Sequence, residues 1–140
     1  MNKLSKTQIE EGLEFKPRFN EQGLIPCIAT SAKTGDVLMM AWMNEKAIEM
    51  SLKTGEAHYW SRSRGEIWHK GATSGHTQKI VDMRVDCDQD CLWIKVQMTT
   101  DLSCHTGRTG CFYRSISKGK DEILKLNPND HDHDEPHAPL

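Results

Sequence analysis

Three groups of residues in this 140-residue chain have the types and spacing to do chemistry. The first is DCDQDC, residues 86 to 91, in which Asp86, Asp88 and Asp90 occupy alternate positions, with Cys87 between the first two and Cys91 after the last. Carboxylates this close repel one another, which raises the pKa of at least one of them unless a cation neutralises the cluster. Magnesium suits a site of few carboxylates completed by water or phosphate oxygens. The alternative is a solvated acidic turn. The D-x-D-x-D start is shared with calcium loops, but the glycine and the distal glutamate of an EF-hand are missing.

The second group is CHTGRTGC, residues 104 to 111, which places Cys104 and Cys111 around a glycine-containing loop bearing His105 and Arg108. The spacing is not that of a zinc knuckle, so the pair is either part of a metal site or a reduced structural pair. With Cys87 there are three soft ligands, and three protein ligands with one open position form the pattern of a catalytic zinc. Cys91 competes with Cys87 for the third position. It ranks lower because it lies beyond a break in strand parity.

The third group, YWSRSRGEIWHKGATSGHT (59 to 77), mixes Arg62, Arg64, His69 and Lys70 with Trp60 and Trp68. The run Gly71-Ala72-Thr73-Ser74-Gly75 offers backbone N–H groups and the hydroxyls of Thr73 and Ser74 to a phosphate. Its indoles can stack on a base or fill a core. Beside two candidate metal clusters, the group suggests an anionic, nucleotide-like small molecule.

The elements that carry these groups can be read from periodicity and punctuation. Ser5 with Gln8 is a capping-box signal for a short helix that Gly12 interrupts. LIPCIAT (24 to 30) and VLMMAWM (37 to 43) read as strands joined by a glycine-containing loop, with Cys27 as a small buried hydrophobe. Asn44 caps the principal helix, whose apolar face is assigned to Ala47, Ile48, Met50 and Leu52 and whose stop is Gly55. EAHYWSRS and EIWHKG form a further strand pair around a basic turn at Arg64-Gly65.

QKIVDMRVDCD then alternates, with Val81, Met83, Val85 and Cys87 on one face and Asp82, Arg84, Asp86 and Asp88 on the other. In CLWIKVQM the apolar parity is reversed, which places a hairpin turn near Gln89 and Asp90. On this reading Cys87 points away from the carboxylates toward the packed side of its strand, and its metal partners lie there, in the same subunit or another.

Composition narrows the class. The chain fits one domain able to bury a core without disulfide staples. Its five cysteines suit a reducing cytoplasm better than a disulfide framework. The N-terminal stretch has no apolar signal core, and the longest apolar run, 37 to 43, is too short for a bilayer, so a cytoplasmic protein with no membrane partner is expected. The net charge is -2, and Asp130, Asp132, Asp134 and Glu135 lie in the last fourteen residues, which leaves residues 1 to 126 at +2. That is far less basic than a duplex-binding domain, and no nucleic-acid partner is expected. From Asn127 onward the chain reads as a disordered acidic and histidine-bearing tail. The expected fold is α+β: a compact, β-rich single domain over 1 to 126 with one main helix between strand pairs.

The segments WSRSRGEIWHKGATSG, DCDQD and CHTGRTGCFYR together resemble the phosphoribosyl-AMP cyclohydrolase family, over a span from about Gly12 to Ile116. The resemblance implies hydrolytic opening of the adenine ring of phosphoribosyl-AMP between N1 and C6, in histidine biosynthesis, by a zinc and magnesium enzyme working as an intertwined homodimer. By motif it assigns Cys87, Cys104 and Cys111 to zinc, with Cys87 donated by the partner subunit, and Asp86, Asp88 and Asp90 to magnesium. His105 becomes the candidate proton carrier. Arg62, Arg64, Lys70, Thr73 and Ser74 are assigned to the phosphates and His69 to polar substrate contact. Only 26 residues follow CFYR, so a monofunctional form is expected. The competing readings are a zinc-stabilised module that binds nucleotides or single strands and a nucleobase deaminase, whose H-x-E and P-C-x-x-C motifs are absent.

Overall fold

The computed structural model describes residues 4–98, 110–117 and 124–127. Two helices, α1 (Lys6–Glu11) and α2 (Glu45–Thr54), accompany strands β1 (Ile25–Ser31), β2 (Val37–Met43), β3 (His58–Ser61), β4 (Glu66–His69), β5 (Gln78–Val85) and β6 (Leu92–Met98). A separate short hairpin joins β7 (Arg114–Ile116) to β8 (Leu124–Leu126). The result is the expected β-rich domain with one main helix. No helix among the described residues is long and apolar enough to cross a membrane.

The main sheet has the order β4-β3-β2-β1-β6-β5. Its interior strand β1 runs antiparallel to β2, with Ile25 opposite Met43, and parallel to β6, with Cys27 beside Leu92. The sheet curls so that β5 returns to the segment preceding β3. Ala57 N–H donates to Gln78 O at 2.9 Å and Ile80 N–H to Gly55 O at 2.8 Å, which ties the start of β5 to the segment entering β3. Inside the curl lie Ile25, Cys27, Ala29, Leu38, Met43, Tyr59, Leu92, Ile94 and Val96, all essentially buried. Gln78 is buried with them because its Oε1 accepts from Tyr59 Oη at 2.6 Å, satisfying two polar groups at once.

Helix α2 forms where its caps place it. Asn44 Oδ1 accepts from Ala47 N–H at 2.8 Å, and Gly55 takes the left-handed conformation that ends the helix. Its buried face is Ala47, Ile48 and Ser51, while Leu52, assigned to the core from sequence, is 60% exposed. Ser51 belongs inside because its Oγ accepts from His58 N–H at 2.9 Å and donates to His58 O at 3.2 Å, stitching the helix to β3. At the N-terminus both halves of the Ser5–Gln8 capping box are formed.

In β5 the alternation fails at one place. A bulge between Ile80 and Asp82 lets Val81 swing out to solvent, so it does not share the face of Met83 and Val85. In the loop after β4, Gly71 has φ +84°, and a Cβ there would lie 2.2 Å from His76 C and Thr77 N. Neither the backbone angle nor the space admits a side chain. Gly71→Ala is therefore expected to cost at least ~1–3 kcal/mol of folding stability, measured as a lower urea midpoint with an unchanged slope.

Candidate active site

Strand β5 ends at Val85, so residues 86–91 form a turn and not an extension of the strand. Asp86 shapes the turn. Its N–H donates to Cys91 O at 3.0 Å, its carbonyl accepts from Gln89 N–H at 3.0 Å, and its Oδ1 accepts from the N–H groups of Asp90 (2.9 Å) and Cys91 (3.0 Å). One carboxylate oxygen of each of Asp86, Asp88 and Asp90 then lies within 4.8 Å of the others, and the cluster faces solvent. Such a group can hold a metal ion.

The crowding shows in the protonation of the pair nearest each other. A hydrogen bond from Asp90 holds the Asp88 carboxyl below the usual carboxylate range, and that bond, followed by one to Asp86, pushes Asp90 up. The two carboxyls are driven apart in acidity where a cation would relieve the repulsion. Asp90 is the raised carboxyl expected from the sequence spacing.

The thiols are distributed differently from the strand reading. Cys87 is exposed in the turn, not directed to the packed side, because the alternation that would have buried it stops two residues earlier. Cys91 is half-buried. Burial first, then the charges of Asp86, Asp90 and Asp88, push its thiol pKa up, which makes it a poor thiolate donor. Cys27 is a core residue whose thiol is raised by burial, as its strand position implied. Cys111 is exposed, and its N–H donates to Leu38 O at 2.6 Å. The segment approaches β2 so closely that a Cβ at Gly110 would stand 3.2 Å from Val37 O. Cys104 and His105 lie outside the described residues.

The register fixes where these groups stand. Val85 pairs with Leu92 and Leu92 with Cys27, so the turn holding Cys87 lies at the start of β1. Leu38 stands between the Met39–Ala29 and Val37–Thr30 pairs, so Cys111 lies toward the end of β1. The offset is about four strand residues, or ~13 Å.

The basic group occupies the β3–β4 hairpin. Arg62 and Arg64 are exposed at its tip, with the Arg62 guanidinium 5.0 Å from the Trp42 ring centre and Arg64 Nε 3.7 Å from Glu66 Oε2. His69 and Lys70 lie at the other end. His69 Nε2 is 2.7 Å from Glu56 Oε1, and its ring stacks on His58 at 4.3 Å. Lys70 is buried to 7% exposure with Nζ 5.7 Å over the Trp68 ring.

Thr73 and Ser74 are exposed, and Ser74 Oγ accepts from His76 N–H at 3.3 Å. Ala72 and Gly75 N–H groups are spent inside the loop on His69 O and Gly71 O, so the Gly-rich run offers fewer backbone donors than its composition suggests. Trp68 is tilted against Tyr59 and joins the core, whereas Trp60 and Trp42 line a pocket of about 360 Å³ with Arg62, Asn20, Gln22 and Leu24. Glu56 and Trp42 escaped the sequence reading because neither belongs to a motif. Each matters through a partner distant in sequence.

A solvent-facing acidic turn, exposed cysteines and a basic hairpin on one small domain are groups that a hydrolytic enzyme can use. A family model for phosphoribosyl-AMP cyclohydrolase matches residues 39–113. Phosphoribosyl-AMP cyclohydrolase of Rhodopseudomonas palustris is 57% identical over 113 residues, covering 81% of this chain and 75% of the relative. That of Nitrobacter hamburgensis is 54% identical over 116 residues (83% and 78%), and that of Brucella anthropi 50% over 131 residues (91% and 93%). The chain belongs to the phosphoribosyl-AMP cyclohydrolase family, hydrolases of histidine biosynthesis. The expectation drawn from the three motifs holds, and it displaces the readings of a non-enzymatic module and of a deaminase.

The opposite shifts of Asp88 and Asp90 can be tested directly. In carboxyl-carbon NMR titrations without added metal, Asp90 should titrate above and Asp88 below the ordinary aspartate range, and Asp88→Asn should bring Asp90 down. An Asp90 titration unaffected by Asp88→Asn would contradict the pairing.

Proposed function

We propose that this chain opens the N1–C6 bond of phosphoribosyl-AMP at a site built from two subunits, with zinc held by Cys104 and Cys111 of one and Cys87 of the other, and magnesium held by Asp86, Asp88 and Asp90. The observation that carries this reading is the placement of Cys87 and Cys111 toward opposite ends of β1. Thiolates on one zinc lie within ~5 Å of each other, since each Zn–S bond is about 2.3 Å, so a ~13 Å backbone offset supports a zinc shared between protomers over one held within a single protomer.

A homodimer also gives the exposed apolar residues a cover: Met40, Val81 and Trp93 on the main sheet, and Phe112, Ile116, Leu124 and Leu126 at or near the β7–β8 hairpin. Free thiols require a reducing compartment, which favours the cytoplasm. The catalytic domain in this reading is residues 1–126, with the tail 127–140 taking no part.

The donor sets fit the two metals by softness: thiolates for zinc, carboxylates for magnesium. Zinc, when bound, would supply a polarised water. Three thiolates outweigh the zinc charge and leave the complex at net -1, so that water is acidified less than it would be by neutral imidazoles, and a base is needed. His105, adjacent to Cys104 in the sequence, would take a proton from the attacking water and pass it toward the departing N1. Asp86, Asp88 and Asp90 would hold the magnesium, and a cation there would favour the ionised form of Asp90, whose carboxyl its neighbours push up.

The substrate carries two phosphates, and the hairpin presents cationic groups at both ends. Arg62 and Arg64 at the tip stand roughly 16 Å along the hairpin from Lys70, about five strand residues at 3.3 Å each, with Thr73 and Ser74 in the loop that follows. One phosphate is assigned to each end. The Glu56 carboxylate orients His69 for a polar contact between them.

Two experiments follow. Cys87→Ser and Cys111→Ser should each be inactive alone, but co-expression should restore about a quarter of wild-type activity, because half the dimers are hybrids and each hybrid has one intact site of two. No recovery in isolated hybrids would rule out the shared site. Arg62→Ala should raise KM about tenfold with kcat nearly unchanged, as expected for loss of a uniform phosphate contact. A fall in kcat with KM constant would place Arg62 at the reacting centre instead.

A further inference from the structure

Gln89 takes no part in the chemistry proposed for its loop, yet it is the most constrained residue there. It is 3% exposed, and it is the only non-glycine among the described residues with positive φ, at 62°. That conformation is unfavourable for a residue with a Cβ and persists only where the surroundings over-determine it. Here they do. Gln89 Oε1 accepts from Lys16 N–H at 2.7 Å, and Nε2 donates to Ile9 O at 3.0 Å and Glu14 O at 3.2 Å. Its carbonyl accepts from Arg18 N–H at 2.7 Å, while its own N–H closes the acidic turn on Asp86 O.

The segment so held has little other anchorage. Helix α1 has no buried residue, and Leu13 is fully exposed. Asp88 and Asp90 are the immediate neighbours of Gln89, and their side chains reach solvent while that of Gln89 reaches inward. The backbone that aims the two carboxylates is therefore pinned by a side chain between them.

Resting on the reading of Asp86, Asp88 and Asp90 as a cation site, we propose that Gln89 is a positioning residue, a latch through which residues 9–18 hold the acidic turn in its cation-binding shape. The N-terminal segment, more than 70 residues away in sequence, then contributes to the affinity of the site. A change at Ile9–Lys16 that touches no ligand reaches the carboxylates through this side chain, while Arg18 is tied to the turn through the Gln89 carbonyl and through its charge on Asp88.

Gln89→Gly separates the latch from the turn, since glycine adopts positive φ freely but makes no side-chain bond. Titration of the full-length dimer with Mn²⁺, followed by electron paramagnetic resonance, should show about tenfold weaker binding than wild type, the usual scale for losing an outer-shell support. Hydrogen exchange at the Lys16 and Arg18 amides should accelerate in the same variant. Deleting residues 1–15 should weaken Mn²⁺ to a similar degree, and adding Gln89→Gly to the deletion should do little more. If Gln89→Gly does not fold, Gln89→Asn, which tolerates the backbone but is one methylene shorter, is measured in its place. Faster amide exchange with wild-type Mn²⁺ affinity would overturn the latch and leave the cation site standing. A wild-type protein that takes up no Mn²⁺ would overturn the cation site and the latch with it.

Discussion

Strand β1 is hydrogen-bonded to an antiparallel partner on one side and a parallel partner on the other, and that pairing decides where every reactive group stands. A parallel neighbour cannot be reached by a tight turn; the chain must travel round the domain before β6 comes alongside. In doing so it lays down α2 and the β3–β4 hairpin, then returns through β5 to place the acidic turn at the start of β1. The segment containing Cys111 reaches the opposite end through Leu38. Hard oxygen donors and one soft sulfur donor are thereby held apart by the rigid middle of the sheet.

Much of this was legible in the sequence, and the reasons differ by element. Helix α2 announces itself through Asn44 and Gly55, since caps are local chemistry that tertiary packing does not override. The strands follow from alternation, and the hairpin at Gln89 from its reversal. Leu52 and Val81 failed because hydrophobicity does not reveal which groups are satisfied by partners elsewhere: Ser51 is drawn inside by the backbone of His58, and Val81 is expelled by a bulge. Cys87 was misdirected because a period of two was extended beyond the last strand residue.

The site was legible by type more than by geometry. Three aspartates at alternate positions imply electrostatic conflict whatever the backbone does, and the conflict appears as an Asp90 carboxyl pushed up and an Asp88 carboxyl held down. What the sequence hid are the long-range partners: Glu56 against His69, Trp42 under Arg62, residues 9–18 around Gln89. None has a spacing to give it away, because each pair is made only when the sheet has curled.

That curl also bears on how the chain keeps from sticking to its own copies. An open six-stranded sheet would expose two edges, each a template for uncontrolled pairing with further molecules. Here the beginning of β5 is sealed against Gly55–Ala57, and what remains of that edge carries Asp82 and Arg84 beside the Val81 bulge. The far edge, β4, is only four residues long. A fold rich in strands is thus left with edges too short, too charged or too irregular to nucleate fibres.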